Sequence, residues 1–129
     1  AVMGHPHVSV QHSHMDYSAS LVGQDPDPGA KDFVLWGVSQ EIAVTKKGDL
    51  SIYNGFNIID NMPKITCPVL AFRGLDDWLV DEEAVQATVS RLTNARKVVY
   101  KQVPGVGHFP SLEKPQAVCD AIEEFLAVI

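Results

Sequence analysis

No run of apolar residues in this chain approaches the ~20 needed to cross a bilayer, and the opening AVMGHPHV has neither a basic stretch nor an apolar stretch of the kind that marks a leader. Neither a membrane span nor a membrane partner is expected. Positive charge is scarce too. Against 16 Asp and Glu stand 10 Lys and Arg, a net charge of -6, and no basic stripe restores a local attraction to phosphate. Nucleic acid is therefore not an expected partner. Cysteine is limited to Cys67 and Cys119, far apart and without CxxC or Cys/His spacing, so neither a disulfide framework nor a zinc site is indicated. The two are read as buried thiols in a reducing compartment, which implies the cytoplasm. Disorder is excluded for most of the chain, because 46% of its 129 residues are hydrophobic and only 20% charged. One ordinary domain is the most this length holds. The first residue is Ala1, which points to a processed product, a cloned fragment or a start within a longer protein.

The chain changes character near residue 63. Residues 1–32 carry four of the five histidines and the turn-rich run Asp25-Pro26-Asp27-Pro28-Gly29, where each Pro disfavours helix at the residue before it, and they read as a loop or tail. DFVLWGVSQEIAV, from Asp32 to Val44, predicts a short helix ended by Lys46-Lys47-Gly48-Asp49. Beyond residue 63 the signals become regular. Val69-Leu70-Ala71-Phe72, bounded by Pro68 and Gly74, predicts a strand buried on both faces of a parallel sheet. Asp81 caps a predicted helix that runs to about Asn94, with Glu82 and Glu83 at its positive end and Val85, Val89 and Leu92 on its apolar side. Lys97 to Val103 predicts a second strand. From about Glu113 a final helix sets Val118, Ala121, Ile122, Phe125, Leu126 and Ile129 on one face and Asp120, Glu123 and Glu124 toward water. The order β-α-β-α implies an α/β arrangement of two parallel strands with helices packed on them.

In such sheets functional groups gather in the loops beyond the carboxyl ends of the strands. Two loops qualify: Arg73-Gly74-Leu75-Asp76-Asp77-Trp78 and Pro104-Gly105-Val106-Gly107-His108-Phe109-Pro110. A carboxylate after one strand and an imidazole after its neighbour are thereby within plausible reach of each other. A carboxylate so placed fixes the tautomer of the imidazole and stabilises the imidazolium, which lets the His act as a general base toward a nucleophile.

Ile65-Thr66-Cys67-Pro68-Val69-Leu70-Ala71-Phe72-Arg73-Gly74-Leu75-Asp76-Asp77 resembles the "I-x-x-P-V-L-x-x-x-G-x-x-D" segment of the α/β-hydrolases. Gly107-His108-Phe109-Pro110 with Glu113-Lys114-Pro115 and the closing helix resembles their "G-H-x-x-x-x-E-x-P … F-L" ending. The resemblance covers roughly residues 56–129. It implies the C-terminal part of an α/β-hydrolase parallel sheet with flanking helices, preceded by a cap or lid segment: residues 1–60 as N-terminal loop and lid, 61–129 as core. It further implies Asp77 as triad acid, His108 as triad base, an ester, lactone or related acyl compound as substrate, and no cofactor.

The family's nucleophile sits in a G-x-S-x-G elbow between strand and helix, upstream of the acid, and this chain has none. The expectation is that the N-terminal half of the hydrolase, as a separate chain or segment, supplies it. Phe33-Val34-Leu35-Trp36-Gly37-Val38-Ser39-Gln40-Glu41 comes near to an elbow, but Glu41 stands where the second glycine belongs, so the lid reading is preferred for residues 30–60. Trp78, Phe109 and Trp36 are candidates for lining an apolar substrate pocket. His5 with His7, and His12 with His14, form H-x-H pairs that would share a face on an extended strand, but no Asp, Glu or Cys beyond Asp16 completes a ligand set, so no metal is expected. An acyltransferase of the same fold and a non-catalytic binding module stay open as alternatives.

Overall fold

The computed structural model describes residues 10–41, 48–49, 51–53 and 55–129. Its centre is a parallel pair of strands, β1 (Val69–Gly74) and β2 (Val98–Val103), in register from Val69 opposite Val98 to Gly74 opposite Val103. Between them lies helix α3 (Glu82–Val89), whose N-cap Asp81 accepts the amide of Ala84 at 2.8 Å. That helix stops earlier than its apolar spacing predicts. Leu92 is buried in the turn that follows, and the Asn94 amide donates to the Pro63 carbonyl at 2.7 Å, so the chain folds back toward β2 instead of continuing the helix. The 3-10 helix Ile59–Lys64 leads into β1 and buries Met62.

After β2 come the single turn α4 (Pro110–Glu113) and α5 (Pro115–Leu126), each with Pro in its first turn, where a missing amide costs nothing. Helix α5 contacts both strands and buries Ala121. Its predicted apolar face is only partly covered: Ile122, Leu126 and Ile129 are exposed. The two strands among the described residues make a sheet too narrow to cover the whole stripe, and for the same reason no residue from Val69 to Phe72 is fully buried.

Two further expectations are corrected. Residues 10–20 are not a loop but helix α1 (Val10–Ser20), and α2 (Ala30–Gln40) packs against it. Hydropathy along α1 has almost no helical period; the helix is held instead by its C-terminal end, where Ser18 and Leu21 are buried. Cys67 and Cys119 are both exposed, on the bend before β1 and on the outer side of α5. Residues 42–44 of the predicted short helix lie outside the described residues. No described helix is long and apolar enough to cross a membrane.

Candidate functional site

Asp77 and His108 meet at the carboxyl ends of β1 and β2. His108 Nδ1 lies 2.9 Å from Asp77 Oδ2. The acid is held from below by its own loop, since Oδ1 accepts the amides of Leu79 at 3.0 Å and Val80 at 3.1 Å. A carboxylate can only accept, so Nδ1 carries the hydrogen and Nε2 is left as the basic nitrogen. The Asp77 side chain is 7% exposed and that of His108 32%. Among the described residues no buried side-chain nitrogen or oxygen lacks a partner, so Nε2, which has none, reaches the surface.

Arg73, the last side chain of β1, clamps the acid loop. Its Nε donates to the Val80 carbonyl at 2.7 Å and its Nη2 to the Asp77 carbonyl at 2.9 Å, while Nη1 lies 3.8 Å from Glu82. Glu82 in turn accepts from the Gln86 amide, the Tyr100 hydroxyl and the Gln102 amide. Those hydrogen bonds, the Gln86 one foremost, hold its carboxyl below the ordinary glutamate range. Tyr100 moves the other way, pushed up by burial first and by its bond to Glu82 second.

The loop bearing His108 is fastened by the segment after α1. The His108 amide donates to the Leu21 carbonyl at 2.8 Å, and the Asp25 amide to the Gly105 carbonyl at 2.9 Å. Asp76 accepts the Gln24 amide at 2.8 Å. The approach is so close that a Cβ on Gly107 would sit 2.1 Å from the Leu21 carbonyl oxygen. Lys114 closes the outside against Asp27 at 3.0 Å and Asp25 at 3.4 Å, and the hydrogen bond to Asp27 is the main reason its ammonium titrates above the ordinary lysine value. Neither the Leu21–Asp27 segment nor Glu113, whose role is taken up below, stood out among the candidate residues. Two local signals nevertheless mark Glu113: it is the Glu of the G-H-x-x-x-x-E-x-P ending, and it lies in the first turn after Pro110, placed to reach back to the helix start as in a capping box.

The aromatic candidates are scattered. Phe109 sets its edge to the His108 ring, centroids 5.3 Å apart. Trp78 is turned toward α1, packing edge-on to Tyr17 at 5.6 Å and donating from Nε1 to the Ser20 carbonyl at 2.8 Å. Trp36 is 59% exposed and stacks on Phe33. None of the three lines the cavity of about 190 Å³ beside the pair, which is walled by Phe72, Val80, Val85, Pro110 and His108 among others. Ser39 lies in the last turn of α2, its hydroxyl donating to the Trp36 carbonyl at 2.6 Å. Phe33 to Trp36 are helical, so the strand an elbow requires is absent there. His12 and His14 are on a helix, where positions two apart do not face each other; His5 and His7 lie outside the described residues. Among the described residues no group of three or more His, Cys, Asp or Glu is arranged to hold a metal ion.

Comparison with family models, curated proteins and solved structures returned no match.

Proposed function

We propose that the chain is the C-terminal part of an α/β-hydrolase that cleaves an ester, lactone or related acyl compound, with its nucleophile supplied by a separate N-terminal chain or segment. The observation that carries this reading is the 2.9 Å contact between His108 Nδ1 and an Asp77 carboxylate whose other oxygen is occupied by its own loop. The imidazole is thereby oriented with Nε2 outward. A Ser hydroxyl or Cys thiol brought to Nε2 gives up its proton to that nitrogen as it attacks the substrate carbonyl. His108 then passes the proton to the leaving group. Water then attacks the acyl carbonyl while losing a proton to Nε2, and His108 returns that proton to the Ser or Cys as its bond to the acyl group breaks and the acid leaves. Asp77 stabilises the imidazolium in both halves. The two exposed free thiols suit a reducing, cytoplasmic setting, where they stay unpaired.

The test uses the chain as recovered from its source, in whatever assembly it forms. Turnover of a p-nitrophenyl ester is followed alongside intact mass spectrometry of the acylated protein. The expected result is an acyl adduct on a polypeptide segment outside the described residues, with adduct and turnover both lost in His108→Gln. Turnover that survives His108→Gln, or material that neither turns over nor acylates, overturns the proposal.

A further inference from the structure

Glu113 is fully buried, with 0% of its surface exposed, and the proposed chemistry makes no use of it. Both oxygens of its carboxylate accept main-chain amides. Oε2 accepts from Gly23 at 2.7 Å and from Gly107 at 2.8 Å, and Oε1 accepts from Phe109 at 2.9 Å. Gly107 and Phe109 are the two residues that flank His108, whose own amide goes to Leu21. Three consecutive amides around the histidine are thus fixed, two of them by one side chain. Fixing the peptide planes on both sides of a residue fixes the direction in which its side chain leaves the backbone.

The sharing of Oε2 depends on glycine. A Cβ at position 23 would meet the Gly105 carbonyl oxygen at 2.3 Å and the Gly107 nitrogen at 2.6 Å, so only bare backbone lets the two amides converge on one oxygen. The Glu113 carbonyl also accepts the Asp27 amide at 2.7 Å, which ties the segment after Gly23 to the same turn. In the loop itself Gly105 takes φ of +73°, a conformation other residues adopt at a cost, and starts the bend that carries Gly107 under the carboxylate.

We propose that Glu113 is a positioning residue: its buried carboxylate holds the His108 loop, and through it the imidazole, in the orientation that meets Asp77. The catalytic part of this inference rests on the hydrolase reading above; the structural part does not. Glu113→Gln is the informative change. Its amide oxygen can serve two of the three donors, but its NH2 then faces the third, leaving a buried donor against a donor.

The experiment measures deuterium uptake by mass spectrometry over residues 20–27 and 104–114 in the native assembly, together with the downfield proton resonance of His108 Nδ1 and ester turnover. In the unaltered protein both segments exchange slowly; exchange there as fast as at exposed amides overturns the proposal without any variant. Glu113→Gln is expected to speed exchange in both segments roughly tenfold to a hundredfold, leave the β2 segment unchanged and broaden the Nδ1 proton beyond detection. A variant with faster exchange in β2 as well has lost stability generally, and in that case Gly23→Ala, which removes the close approach but keeps the carboxylate, must produce the local loosening; if it does not, the proposal fails. An unchanged Nδ1 proton in Glu113→Gln also overturns it. If the loop loosens as expected but no preparation turns over ester, the hydrolase reading fails and the anchoring role stands. If turnover requires His108 and is untouched by Glu113→Gln, the positioning role fails and the hydrolase reading stands.

Discussion

Replacing Asp77 by Asn changes one oxygen to an NH2, and the surroundings decide which one. Oδ1 faces two amide donors, Leu79 and Val80, while Oδ2 faces only His108 Nδ1. Turning the NH2 toward the loop would orphan two part-buried amides at about 1–3 kcal/mol each; turning it toward His108 sets it against a single donor. The ring can answer by moving its proton from Nδ1 to Nε2, whereas backbone amides have no such option. The second orientation therefore wins by at least about 1 kcal/mol, and the fold survives with the wrong tautomer locked in. An imidazole protonated at Nε2 cannot accept the nucleophile's proton. The expected loss in turnover is about ten-thousand-fold, as for the same acid-to-amide change in a serine-protease triad, or ~5.4 kcal/mol in the barrier. Asp76 serves as the internal control: its Oδ2 accepts only the Gln24 amide, and an Asn there can keep that bond through its oxygen, so Asp76→Asn should cost less than about tenfold. Ester turnover reads the rate, and ring 15N shifts read the tautomer. Asp77→Asn retaining Nδ1–H with turnover within tenfold, or Asp76→Asn proving the more damaging change, would refute the reasoning.

Three other outcomes follow from the same geometry. Arg73→Lys gives up the forked donation to the Asp77 and Val80 carbonyls and should lower stability by roughly 1–3 kcal/mol in urea melts, with turnover falling as the acid loop loosens. Gly107→Ala forces a Cβ against the Leu21 carbonyl oxygen and the Gly23 nitrogen, both backbone atoms, so destabilisation at the upper end of the roughly 1–3 kcal/mol overpacking range is expected; an unchanged thermal midpoint would contradict the close approach. Because the Glu82 carboxyl is held below its ordinary value, the stability it adds is present above the unfolded pKa near ~4.3 and is lost as pH falls through the lower folded value. Glu82→Gln should accordingly flatten the acid limb of the thermal midpoint against pH, and an identical acid limb in the variant would count against the assigned hydrogen bonds.

The parts of the chain legible from sequence are those whose structure is fixed locally. A short apolar run between Pro68 and Gly74 forms β1, an Asp immediately ahead of a Glu pair caps α3, and a β-branched run forms β2. Because these elements follow one another along the chain, the loops at their carboxyl ends could be found, and with them Asp77 and His108. Elsewhere the sequence misled. Hydropathy along α1 has almost no helical period, so nothing in the pattern announces it, and it stands because its C-terminal end docks on residues far ahead in the chain: Trp78 donates to Ser20, and His108 to Leu21. Burial is the common place for a thiol, yet the bend before β1 and the outer side of α5 leave both cysteines at the surface.

Glu113 marks the division most clearly. Its place near the start of a helical turn is written in the sequence, and so is its reach back to the Phe109 amide four residues earlier. Its complete burial and its hold on Gly23 depend on a contact between residues 90 positions apart. Local propensity and capping act over a few bonds and leave a periodic trace that can be read along the chain. Burial, cavity shape and the matching of a buried charge to distant amides depend on which surfaces meet, and only the folded chain brings those surfaces together.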